Sequence, residues 1–343
     1  MTATDLAKPP TKSIGSRVLD LLRRRETSIL IAVVLVVVAA TAMSPTFVFS
    51  PDGWRNLLLN PAIYMVLAVG VAFVIIARSV DLSVGSTMGL TAFLIGTLYL
   101  AWPDMPVVVA FLAGTAFGAA LGLINGALIA VAKVPGMVIT LGTMYIYRGI
   151  NIMWAGTTRI NASQMGESFL AFGNARLLGV PTLTILAVAV LIVAAWYLHN
   201  IRSGRELYAI GSAPAAAELY GLPVGRRMLM TFVLSGALAG LAGVMFAARY
   251  GTIASNAGVG YELQAIGAAV IGGVSISGGV GTAIGAAFGA ILLATINSAL
   301  PVLGIPSLWQ RAVVGVLILG AIILDRVLAV RQNRKLIAER MES

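Results

Sequence analysis

Cysteine is absent from the 343-residue chain, histidine occurs once, at His199, and lysine only four times. Without cysteine there is no disulfide framework, no thiol nucleophile and no cysteine-held cluster. A single histidine excludes a bis-histidine haem bundle and a histidine-rich metal site. None of the lysines stands in the G-x-x-x-x-G-K-[ST] context that cradles a nucleotide phosphate, so the chain carries no P-loop of its own. No catalytic residue, cofactor or metal is expected. Charge is scarce as well: charged residues make up 10% of the chain, against roughly 25% in soluble proteins.

What replaces charge is apolar surface. Hydrophobic residues account for 59% and the mean hydropathy is +0.96. A soluble domain has too much surface for its volume to hide that fraction. The expected fold class is an all-α polytopic membrane protein. At roughly 20 residues per bilayer crossing, the length accommodates about ten helices and leaves no room for a soluble catalytic domain.

The apolar runs place spans at about 29–48, 61–77, 83–102, 106–132, 135–154, 182–198, 228–248, 263–274, 281–303 and 307–324. The eighth is too short for a straight crossing. The first 28 residues are polar, end in Arg23-Arg24-Arg25 and precede a run long enough to span, which reads as a tail rather than a cleaved signal peptide. The organisation is therefore a tail over 1–28, a transmembrane domain over 29–326 with a long loop at 200–227, and a second tail over 327–343. Ten spans put both termini on one side. That side, with the loops after spans 2, 4 and 6, holds 17 of the 23 basic residues, so it is cytoplasmic by the positive-inside rule. The net charge of +10 is then an orientation and lipid-headgroup signal. Nucleic acid is not an expected partner, because no basic stripe is interleaved with stacking aromatics.

Glycines recur every fourth residue at Gly114, Gly118, Gly122 and Gly126, at Gly236 and Gly240, and at Gly281, Gly285 and Gly289. Such rows let membrane helices approach closely, and intramolecular packing is their expected use. The segment Ser79–Gly89 echoes Ser275–Gly285, each at a break between apolar runs, as in transporters built from two related halves. In the loop 200–227, Pro214 suits the first turn of a short helix and Gly221 its end.

Ionisable residues are few near the membrane. Arg78 and Asp81, three apart at the end of span 2, share a face if helical and can pair. Arg148 and Arg311 are expected to snorkel to an interface, and His199 to sit satisfied at one. No carboxylate falls inside a span, which argues against a proton- or sodium-coupled secondary carrier. An intramembrane enzyme would lack a catalytic group.

Four blocks carry a resemblance: ARSVDLSVGS (Ala77–Ser86), NGALIAVAKVPGMVITLGTMYIYRGI (Asn125–Ile150), GRELYAIGSAPAAAELYGLPVGRRMLMTFVLSGALAGLAGVM (Gly204–Met245) and GGVSISGGVGTAIGA (Gly272–Ala286). Together, in this order and over nearly the whole chain, they resemble the ribose-type sugar permeases, membrane subunits of bacterial ABC importers. One departure is Ala77-Arg78, where the family more often has Gly-Gly. The resemblance implies a multi-pass protein of the bacterial inner membrane forming the pathway for a monosaccharide. The nearest alternative cargo is a sugar-derived signalling molecule or a polyol. Implied partners are a cytoplasmic ATP-binding subunit, an extracytoplasmic sugar-binding protein and a second permease subunit, identical or paralogous.

Under that resemblance the loop helix looks like the element seated on the ATPase, with Gly211, Pro214, Ala216, Glu218, Tyr220 and Gly221 as its coupling residues. Arg78, Asp81, Ser83 and Gly85 form a gate or turn. A sugar in transit needs weak hydrogen-bonding partners, and Asn125, Thr140, Thr143 and Tyr145 are the expected pathway residues.

Overall fold

The computed structural model describes residues 25–50, 52–132 and 134–306, with scattered positions between 309 and 323. The tail 1–24, most of the tenth span with Arg311, and the tail 327–343 lie outside the described residues. The fold is all-α: seven helices among the described residues are long and apolar enough to cross a membrane.

The chain begins with α1 (Arg25–Met43) and breaks at Ser44-Pro45 before the single turn α2 (Thr46–Phe49). Sequence reading carries the first span to residue 48; Pro45 stops it because proline lacks the amide and clashes with the preceding turn. Next comes α3 (Gly53–Ile76), which starts eight residues before the expected Pro61. Its polar first turns are accommodated by partners: Asn60 donates to Ser298, and Arg249 donates to Asn56 at 2.9 Å. From residue 61 onward almost every side chain of α3 is buried, and it is the central helix of the main core.

Then follow α4 (Val84–Ala101), α5 (Val107–Ala132) and α6 (Gly136–Ala155). The last is long enough to span, but Tyr145, Tyr147, Arg148 and Asn151 leave it outside the seven. The connection at 156–181 folds as α7 (Glu167–Asn174) and a two-residue hairpin, β1 (Arg176–Leu177) with β2 (Val180–Pro181), antiparallel with Arg176 opposite Pro181. The chain returns through α8 (Thr182–Asn200), passes two short helices, α9 (Arg202–Ser212) and α10 (Pro214–Leu219), and recrosses in α11 (Val224–Tyr250). The short α12 (Tyr261–Ile271) and the long α13 (Ala283–Val302) follow.

The glycine rows pack as expected except at Gly281, which precedes the helix of Gly285 and Gly289 with a φ of 139°. A Cβ on Gly118 would overlap the backbone of Gly236 and Gly240, and one on Gly122 that of Phe232, so α5 and α11 touch backbone to backbone. Gly285 and Gly289 play the same part against Gly272 and Ala268, joining α13 to α12. Close approach of small residues replaces the hydrophobic drive that lipid cannot supply.

At 11 residues, α12 rises only ~16 Å, about half a bilayer core. Its start is held inside the bundle: Tyr261 stacks on Tyr64 at 4.9 Å, and Ala257 and Gly258 press against Gly89 and Gly85 at the opening of α4. The second echoing segment meets the end of α3, just before the first, at one end of the bundle, where the Gly279 amide donates to the Ile76 carbonyl at 2.8 Å. That end also carries α9 and α10.

Candidate functional site

The chain leaves α3 through Arg78, whose φ of 63° lies in the left-handed region. This is the position where the resemblance expects glycine, the residue that occupies that region without strain. The reversal exposes Arg78 and turns Asp81 inward, so the expected Arg78–Asp81 pair does not form. The reason is that residues 77–83 are not helical, and i,i+3 proximity requires a helix.

Asp81 is fully buried and accepts three hydrogen bonds: from the Ser83 amide (2.9 Å), the Ser83 hydroxyl (2.7 Å) and the Ser235 hydroxyl on α11 (2.8 Å). Three donors on one carboxylate offset much of the cost of removing it from water. The network extends through Asn125 on α5, whose amide donates to the Ser83 hydroxyl at 2.8 Å. Tyr147 on α6 donates to the Leu121 carbonyl at 3.0 Å and lies 3.3 Å from Asn125 Oδ1. Thr140 accepts from the Leu82 amide and donates to the Val80 carbonyl, both at 3.1 Å, replacing the backbone partners that a non-helical segment lacks. Thr143 donates to the Thr140 carbonyl at 3.3 Å.

Of the four expected pathway residues, Asn125, Thr140 and Thr143 are therefore buried and bonded within the protein. Tyr145 stands apart, 65% exposed on the opposite side of α6. Tyr147 and Ser235, absent from the expected pathway residues, also belong to the network. A signal existed for both, since a tyrosine two residues from an exposed one faces the other side of a helix, and a serine amid glycines and alanines is available for a buried bond.

Gly85 sits where a Cβ would overlap the Glu262 carboxylate and approach the Gly258 carbonyl. Glu262, on the first turn of α12, pairs with Arg148 of α6 at 3.2 Å. The expectation that Arg148 snorkels is corrected by this pair. The expectation of no carboxylate at depth is corrected as well, since Asp81 and Glu262 are both buried within the bundle. In the sequence each lies just outside an apolar run, and only the folding of these segments back into the bundle buries them.

In the loop between α8 and α11, Pro214 opens α10, and Gly221 follows it at φ 76°, as the residue pattern implies. Pro214 and Ala216 are half-buried, Glu218 and Gly221 exposed, and Ala217 buried. Leu219 and Tyr220 are 89% and 87% exposed, a bare apolar tip. The helix α9 was not expected. Its inner face carries Glu206, which receives Arg202 at 2.8 Å and Arg227 from α11. The Arg227 guanidinium, aided by Arg202, holds the Glu206 carboxyl below the usual carboxylate range. Tyr208 donates to the Gly281 carbonyl at 3.0 Å. Gly211 is buried rather than presented: a Cβ there would overlap the Ile76 carbonyl and crowd the Gly279 amide. The helix beneath the apolar tip thus rests directly on the end of α3 and on the second echoing segment.

The family model described as branched-chain amino acid transport system / permease component matches residues 54–322. The autoinducer 2 import system permease protein LsrC of Enterobacter sp. (strain 638) is 35% identical over 305 residues, covering 89% of this chain and 88% of the relative. The ribose import permease protein RbsC of Escherichia coli (strain K12) is 35% identical over 303 residues, 88% of this chain and 93% of the relative. No solved structure matches at a significant level.

Proposed function

From the premise that this chain belongs to the branched-chain amino acid transport system permease family, we propose that it forms the membrane pathway of an ATP-driven importer for a monosaccharide. The observation that carries the reading is the α10 tip. A six-residue helix ending in exposed Leu219 and Tyr220 has no reason to present apolar side chains to water unless a partner covers them. A cytoplasmic ATP-binding subunit is that partner in this reading, with Pro214, Ala216, Glu218, Tyr220 and Gly221 facing it and Gly211 transmitting its movement to Ile76 and Gly279. Arg202, Arg205, Arg226 and Arg227 cluster at the same end, which supports a cytoplasmic placement of that end and of both termini.

An extracytoplasmic binding protein delivers the solute and a second permease subunit completes the passage. Asp81, Ser83, Asn125, Thr140 and Thr143 close its inner part, around the turn made by Arg78 and Gly85. A sugar-derived signalling molecule is the second reading of the cargo, supported by the equal identity to an autoinducer 2 import permease. Against a secondary carrier, the buried carboxylates remove the argument from their absence, so family membership decides. Co-expression with a candidate ATP-binding subunit tests the core of the proposal. A stable complex in mild detergent whose ATP hydrolysis responds to a loaded binding protein supports it, and hydrolysis indifferent to the permease refutes it.

A further inference from the structure

The Arg148–Glu262 pair lies within the bundle, away from both ends of α6. Arg148 is 12 residues into the 20-residue α6. Glu262 packs over Gly85, and 16 residues of α4, or ~24 Å, separate Gly85 from the far end of that helix. The pair is not sealed: the Arg148 side chain keeps 21% of its exposure and that of Glu262 keeps 9%. The surface beside it is open. Tyr145, one turn away, is 65% exposed, and a Cβ added to Gly142 or Gly149 would meet nothing within 4 Å.

Hydrocarbon does not accept a part-exposed guanidinium at this depth; such groups face a protein interior or a water-filled cavity. Arg148 does not escape by snorkelling, because it is directed at Glu262. The α6 surface around it therefore meets water. We propose that the Arg148–Glu262 pair borders the aqueous solute passage, with Tyr145 and Gly149 on its wall. The pair contacts the hydroxyl groups of a polyhydroxylated solute. A guanidinium offers several donors and a carboxylate only acceptors, so together they match a hydroxyl that both donates and accepts, while their mutual pairing keeps the grip weak enough for release. The aqueous wall stands independently of the importer reading; the nature of the solute rests on it.

The absence of cysteine makes the test direct. Single cysteines replace Tyr145 and Gly149, and, as controls on exposed surface of the apolar helices α1 and α8, Leu35 and Val193, which are 63% and 65% exposed. A charged, water-soluble methanethiosulfonate reagent is applied to the full complex in vesicles without ATP. The expected result is modification at 145 and 149 several times faster than at 35 and 193; equally slow modification at all four positions overturns the proposal. For the solute contact, Arg148→Gln should lower uptake per assembled complex about tenfold, the equivalent of one hydrogen bond, with partial recovery in Arg148→Lys. Unchanged uptake in Arg148→Gln overturns the contact. Loss of the ATP requirement in the parent protein would instead sink the importer reading and leave the labelling result standing.

Discussion

The carboxylate of Asp81 accepts a hydrogen bond from the hydroxyl of Ser235 at 2.8 Å, across 154 residues of sequence. The bond ties the non-helical opening of α4 to the middle of α11, and it is one of only three donors on a carboxylate sealed from water. Ser235→Ala should lower stability by about 1–3 kcal/mol, the cost of leaving a buried charged acceptor short of a partner. The thermal midpoint in detergent measures it. An unchanged midpoint would show that the Ser83 bonds suffice.

Arg78 occupies the left-handed region with an exposed side chain. Glycine relieves the steric cost there but adds freedom to the unfolded chain. Arg78→Gly should gain about 0.5–1 kcal/mol, seen as a raised thermal midpoint. A lowered midpoint would mean that the guanidinium makes a stabilising contact.

Glu206 governs an acid-sensitive joint between α9 and α11. Its carboxyl is held below its unfolded value by Arg227 and then Arg202. The stabilisation is therefore complete above the unfolded pKa of about 4.3 and is lost as pH falls through the lower, folded value. The parent protein should keep its thermal midpoint from about pH 7 to pH 5 and lose it below about pH 4. Glu206→Gln should be less stable near neutrality and lose less in acid. Parallel curves for the two proteins would contradict this.

Leu219 and Tyr220 contribute almost nothing to the isolated fold, being 89% and 87% exposed. Leu219→Ala with Tyr220→Ala should leave yield and thermal midpoint unchanged while the ATP-binding subunit dissociates during purification. Retention of the subunit would move the contact elsewhere.

Much of the scaffold is legible in the sequence because membrane spans announce themselves by composition, and the glycine rows at Gly118 and Gly236 by spacing alone. The parts that escape reading are those where tertiary partners override local pattern. Residues 53–60 are helical because Asn56 and Asn60 find Arg249 and Ser298. The amphipathic α9 hides in a charged loop because its buried face is organised around an ion pair. Arg148, Glu262 and Asp81 look interfacial in sequence, since nothing local reveals that residues 79–83 and 252–260 fold back into the bundle. Among the candidate pathway residues, sequence identifies polar side chains on α5 and α6 but not which side of α6 is open, and so groups Tyr145 with residues buried behind it.

The most direct measurement is uptake of a labelled monosaccharide panel into vesicles containing this permease, its ATP-binding subunit and its binding protein. The expected result is accumulation of one sugar or sugar-derived solute that requires hydrolysable ATP and persists when proton and sodium gradients are collapsed. Accumulation without ATP, driven by either gradient, would contradict it.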